Sequence, residues 1–106
     1  MSKLVIATYR PKPGKEAALR EAIAGHIALL RGQELVTDRE PVRMSAADGT
    51  LLEIFEWASD EAALAAHSNP EVQTFWRSLA SLCDHVPLKD LDEAKERFAH
   101  FDPVTL

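Results

Sequence analysis

Histidines, carboxylates set among apolar neighbours and a handful of aromatic rings are where this 106-residue chain can do chemistry. His67 stands three residues after Leu64, a spacing that leans its ring toward the core side of a helix. Imidazole has an unperturbed pKa of about 6.5, so at neutral pH it can take a proton from a weakly acidic hydroxyl such as a phenol. The plainer reading is a histidine that hydrogen-bonds Glu56 or backbone at a helix end. Glu56 shares its strand face with Leu52 and Ile54, and a carboxylate between apolar neighbours is costly unless paired. Either it orients His67 and raises its basicity, or it forms a structural ion pair with Arg43 across a hairpin or with a partner subunit.

Tyr9, Phe55, Trp57 and Trp76 are the residues able to line a pocket for a flat aromatic molecule, with the Tyr9 hydroxyl or a Trp edge donating to its oxygen. Aromatics at strand and helix spacing are also ordinary core, and Trp76 fits an apolar stripe without needing another purpose. His26 falls on the apolar stripe of a first helix and His85 beside a fourth strand, and both are candidates to face the same pocket. His100, near the end of the sequence, reads as solvated. The histidines show no HxxxH or HxH spacing and none adjoins a Cys or carboxylate cluster, so no metal site is expected. Cys83 lies on an apolar stripe and reads as a small core residue; as the single cysteine it excludes an internal disulfide. GxSxG, phosphate-loop, dinucleotide and CxxC motifs are absent.

The elements that must position these side chains follow from periodicity. Lys3 to Arg10 alternate as a strand that Pro11, Pro13 and Gly14 terminate. From Lys15 the period changes, and Leu19, Ile23, His26, Ile27 and Leu30 form a helical stripe closed by Gly32. Leu35 to Ala47 reads as a second strand interrupted at Pro41, joined by an Asp48-Gly49 turn to a third strand, Thr50 to Trp57. In that strand Leu51, Glu53, Phe55 and Trp57 share one face, and Leu52, Ile54 and Glu56 the other.

Ser59 is an N-cap for an alanine-rich helix to His67, and Asn69-Pro70 restarts it into a segment with Val72, Phe75, Trp76, Leu79, Leu82 and Cys83 on one stripe. A short strand around His85 to Leu88 and a final helix through Leu91, Ala94, Phe98 and Phe101 complete the reading. The order β-α-β-β-α-β is that of an α+β, ferredoxin-like antiparallel sheet with helices on one face and an extra C-terminal helix. Two helices on one side leave residues such as Phe55 and Trp57 uncovered, which points to a homodimer through sheet-on-sheet packing.

The size fits one domain over residues 1–106, with a core at 3–88 and a helical extension at 89–106. A formal charge of −5 without any Lys or Arg cluster argues against nucleic acid as a partner. The apolar run Leu4 to Ala7 stops at Arg10, too short for a signal h-region or a membrane span, so a cytoplasmic protein without membrane contact is expected.

Residues Arg10-Pro11-Lys12-Pro13-Gly14-Lys15-Glu16 after the first strand, then Glu56, Ser59-Asp60-Glu61-Ala62 and Ala66-His67 after the third, resemble the antibiotic biosynthesis monooxygenase type of dimeric α/β barrel over residues 3–88. That resemblance implies two ferredoxin-like protomers whose sheets join, each with a pocket between sheet and helices. It implies a cofactor-independent monooxygenase acting on a small phenolic or quinol-like aromatic, with His67 and Glu56 catalytic and Tyr9, Trp57, Phe55, Trp76, His26 and His85 binding the substrate. The haem-degrading branch fits poorly, because the first strand has no matching Asn and the second helix no His after Asn69. The alternatives are a non-catalytic dimer that binds a small ligand or serves a stress-related role, and a structural dimer whose cavity is filled by Phe98 and Phe101. The fold alone does not choose among them.

Overall fold

The computed structural model describes residues 1–106. Strand β1 (Lys3–Pro11) leads to helices α1 (Glu16–Ala24) and α2 (His26–Gly32), then to strands β2 (Val42–Ser45) and β3 (Leu51–Trp57). Helices α3 (Asp60–Ala66) and α4 (Pro70–Ala80) follow, and two short strands, β4 (Cys83–Asp84) and β5 (Asp102–Pro103), end the order. The strands form one open antiparallel sheet in the order β4-β1-β3-β2-β5, the ferredoxin-like arrangement with one strand added at an edge.

Local chemistry sets the boundaries. The Ser59 hydroxyl accepts the Ala62 N–H at the start of α3, and the Asn69 carboxamide accepts the Glu71 and Val72 N–H groups at the start of α4, where Pro70 occupies the first turn. In the β2–β3 turn Gly49 takes a φ of 93°, a left-handed value that favours glycine, and Asp48 accepts the Thr50 N–H. Thr50 and Arg10, which donates to Asp48, hold that carboxyl below the usual carboxylate range; the Thr50 backbone bond is the largest cause.

Pairing of Val5 with Phe55, Ala7 with Glu53 and Tyr9 with Leu51 puts these residues on one face, under the helices. Two apolar clusters fill that layer: one around Ile27, Leu30, Phe55 and Val72, the other around Leu19, Ile23, Leu51 and Leu79. On the opposite face Leu52 and Ala46 are covered by Leu91, with Met44, Val86 and Phe101 packed around them. The rest of that face is open: Leu4, Ile6 and Val42 are exposed.

The structure departs from the periodicity in four places. The first helix divides at Gly25, yet Ile23, His26, Ile27 and Leu30 stay on one buried stripe. The second strand is confined to Val42–Ser45, beyond Pro41, with only an isolated bridge from Val36 to Trp57 before it. The fourth strand is Cys83–Asp84, earlier than His85, which puts buried Cys83 opposite Pro11 instead of on a helix. The C-terminal segment is no helix: it makes two 3₁₀ turns, Leu88–Asp90 and Asp92–Lys95, and then pairs β5 with β2, where the Val104 N–H donates to the Arg43 carbonyl. A free strand edge offers the backbone partners that a short, Asp-rich helix would have to supply itself. The uncovered face is also the reverse of the expected one, because Phe55 and Trp57 lie beneath the helices.

Candidate functional site

Between sheet and helices lies a cavity of about 380 Å³ with a mainly apolar wall. All six residues expected to contact a substrate line it, as does His67. Val5 and Ala7 of β1 and Leu79 of α4 complete the wall. The aromatic rings brace one another edge to face: Phe55 and Trp57 are 5.1 Å apart between centroids, Trp57 and Trp76 6.5 Å, and Trp76 and His67 5.3 Å. Such contacts hold ring orientation and give the cavity flat walls.

Behind this wall sits a charged group, Glu53, with no exposure to solvent. Its Oε2 accepts from Arg43 Nε at 2.9 Å, and its Oε1 accepts from His26 Nδ1 at 2.7 Å and from the Tyr9 hydroxyl at 3.2 Å. The Trp76 indole N–H donates to His26 Nε2 at 3.0 Å. An indole nitrogen can only donate, so Nε2 carries the lone pair and Nδ1 the proton, which fixes the His26 tautomer. Arg43 also donates to the Ile23 carbonyl at 3.2 Å, tying the sheet to α1. Burial, reinforced by the negative charge of Glu53, pushes the Tyr9 hydroxyl above the ordinary phenol range, so it remains a donor.

This network uses up the polar atoms of Tyr9, His26 and Trp76, leaving their rings as walls. Tyr9 and Trp76 therefore do not have a free donor for a ligand in this arrangement. The open polar atoms at the cavity are the His67 ring nitrogens, the Trp57 indole N–H and one nitrogen of His85. His85 Nδ1 lies 3.0 Å from the Thr8 carbonyl, its ring 5.3 Å from that of Tyr9.

Glu56 lies apart from this constellation. It pairs with Leu4 on the opposite face of the sheet, and its carboxylate accepts from Thr37, Arg39 and Ser2 at 2.7, 3.2 and 3.1 Å. These bonds, Thr37 first and then Arg39, hold its carboxyl below the usual range. Strand alternation sends Glu56 and the cavity residues to opposite sides, so it does not orient His67, and Arg43 belongs to Glu53 instead. The residue that sequence reasoning missed is Glu53. Its position between Leu51 and Phe55, on the face that also carries Trp57, was the available signal.

Cys83 donates to the Leu79 carbonyl, and burial followed by the adjacent Asp84 charge pushes its thiol up, against a nucleophilic role. Phe98 is exposed and Phe101 packs on the far face of the sheet, so neither fills the cavity. No three His, Cys, Asp or Glu side chains converge in a ligand-like group, and no helix is long and apolar enough to cross a membrane.

Residues 4–78 match the family described as antibiotic biosynthesis monooxygenase. Among solved structures, that of Rv0793 from Mycobacterium tuberculosis is similar at a TM-score of 0.64 and 24% sequence identity, over 89% of this chain and 99% of that one. At that identity the likeness bears on the fold. No curated protein matches the chain.

Proposed function

Because the chain belongs to the antibiotic biosynthesis monooxygenase family, we propose that it is a cofactor-independent monooxygenase of a small phenolic or quinol-like aromatic. The observation that carries this reading is the cavity: flat aromatic walls whose own polar atoms are consumed behind the surface, with imidazole nitrogens among the few left open. Such a lining takes up a flat apolar ring and contacts its hydroxyl at a few points. A cavity histidine accepts the phenolic proton, and the phenolate passes one electron to dioxygen, giving a phenoxyl radical and superoxide. Their recombination forms a carbon–oxygen bond, the imidazolium returns its proton to the resulting peroxide anion, and loss of water from the hydroperoxide leaves a quinone, so one oxygen atom is retained and the other leaves as water. The protein contributes deprotonation, orientation and exclusion of bulk water.

The same reading includes a homodimer through the open sheet face. Leu4, Ile6 and Val42 are exposed there, and Ile6 and Val42, in register on either side of half-buried Ile54, make a continuous apolar strip of the kind that marks association.

Oxygen consumption with a panel of phenols, quinols and polycyclic hydroxyaromatics, using metal-stripped protein, tests the reaction. Saturable uptake is expected, and His67→Ala is expected to lower it by about tenfold or more, the worth of one charge-assisted hydrogen bond. Unchanged turnover in that variant removes His67 from the mechanism. No uptake with any compound, together with retention of an aromatic ligand unchanged, establishes a binding protein instead.

A further inference from the structure

The cavity holds three histidines, and the hydrogen bonds around them distinguish their chemistry. His26 has both ring nitrogens engaged, one by Glu53 and the other by Trp76. His67, at the C-terminal end of α3, stacks edge-on against Trp76 and has neither nitrogen tied to the protein, so either tautomer is open to it. His85 differs from both. A backbone carbonyl can only accept, so the 3.0 Å contact between Nδ1 and the Thr8 oxygen requires the proton on Nδ1 and leaves the lone pair on Nε2.

The segment that carries His85 is also anchored. The Thr8 hydroxyl donates to the Val86 carbonyl, and the two residues before His85 pair with Arg10 and Pro11 of β1. One residue of the central sheet, Thr8, therefore holds the imidazole through its carbonyl and the following peptide through its hydroxyl. The ring is set against Tyr9 at the exposed edge of the cavity wall, and of its two nitrogens only Nε2 is free of a bond to the protein.

Resting on the monooxygenase reading above, we propose that His85 is the catalytic base, its Nε2 taking the proton of the ligand hydroxyl. In that step the ligand O–H bond breaks and the Nε2–H bond forms, giving an imidazolium beside a phenolate. The Nδ1–H bond to Thr8 persists throughout, so the ring needs no reorientation as the charge appears. That is the usual advantage of a base whose second nitrogen is already bound. His67 then serves the opposite role, steadying the ligand at the Trp57–Trp76 end of the wall.

A nitrophenol, whose phenolate alone absorbs in the visible, tests this directly when titrated against the protein in buffer held below the phenol's own pKa. The wild type is expected to bind it and develop the phenolate band. His85→Gln, which keeps a polar side chain but accepts no proton, is expected to bind within about threefold and lose the band, and oxygen uptake with an active phenol falls about 10²–10⁴-fold. Wild-type imidazole nitrogen shifts give a second readout that needs no variant: ligand binding should protonate Nε2 of His85 while Nδ1 stays protonated. A phenolate band retained in His85→Gln, or lost only in His67→Gln, overturns the assignment while leaving the monooxygenase reading intact. A nitrophenol that does not bind the wild type, together with an inactive phenol panel, overturns both.

Discussion

The two faces of the sheet solve the same packing problem in opposite ways. Toward the helices, β1, β2 and β3 present an aromatic layer that encloses a fully buried carboxylate, both of whose oxygens accept hydrogen bonds, from Arg43, His26 and Tyr9. Toward the other side the same strands present mainly aliphatic residues, half covered by the C-terminal segment and half open, with the few polar ones, Thr8 and Glu56, bonded locally. The closed face is chemically specific, because an imperfectly partnered charge there is heavily penalised. The open face is permissive, since apolar contact is non-directional and roughly proportional to area. On the proposed reading, geometry for chemistry belongs to the first face and association to the second.

The sharpest way to break that contrast is Glu53→Ala. It strands the Arg43 guanidinium and removes the acceptor for His26 and Tyr9, for an expected loss of about 3–5 kcal/mol measured by urea unfolding. A loss below about 1 kcal/mol contradicts the claim that the network is a closed set of mutually dependent partners.

A smaller effect is expected from Leu91→Ala on the covered half of the other face. Leu91 is buried, but two 3₁₀ turns can settle onto the space it leaves, so the cost falls at the low end of the large-to-small range, about 2 kcal/mol. Equal losses for Glu53→Ala and Leu91→Ala would erase the distinction between the faces.

The smallest change in protomer stability is expected for Ile6→Lys on the open half, within about 0.5 kcal/mol. Sedimentation equilibrium is nevertheless expected to show a monomer, with the far-ultraviolet circular dichroism of the wild type. Retention of a dimer places the association surface elsewhere.

What the sequence made legible were features decided within a few residues. The Asp48-Gly49 turn, the Ser59 and Asn69 caps and the alternation of β3 are each set by local sterics and hydrogen bonds, and each appears where the pattern puts it. The face assignment was not local. Alternation separates Glu53 from Glu56 without saying which side the helices cover, and Glu56, expected beside His67, is tied to Thr37 and Arg39 away from the cavity. The C-terminal segment shows the same limit. Leu91, Ala94, Phe98 and Phe101 fit a helical period, yet Phe98 stays exposed, because the unpaired edge of β2 recruits the chain into a strand. Periodicity records which residues are apolar; the competing partners that decide their conformation lie far along the chain.

The sheet order carries a consequence for how this protein comes into being. β1 precedes every other strand of the sheet but lies between β3 and β4, so neither of its hydrogen-bonding edges can be satisfied until much later residues have left the ribosome. The contact that finally fixes its far end joins Thr8 to Val86, 78 residues on. Helices α1 and α2 can form early from local contacts, whereas the strand they cover must wait, unpaired, for distant sequence. Closing such long loops is slow compared with helix formation, so folding is expected to be governed by the meeting of β1 with β3. Until then the nascent chain carries an apolar strand open to pairing with a neighbour.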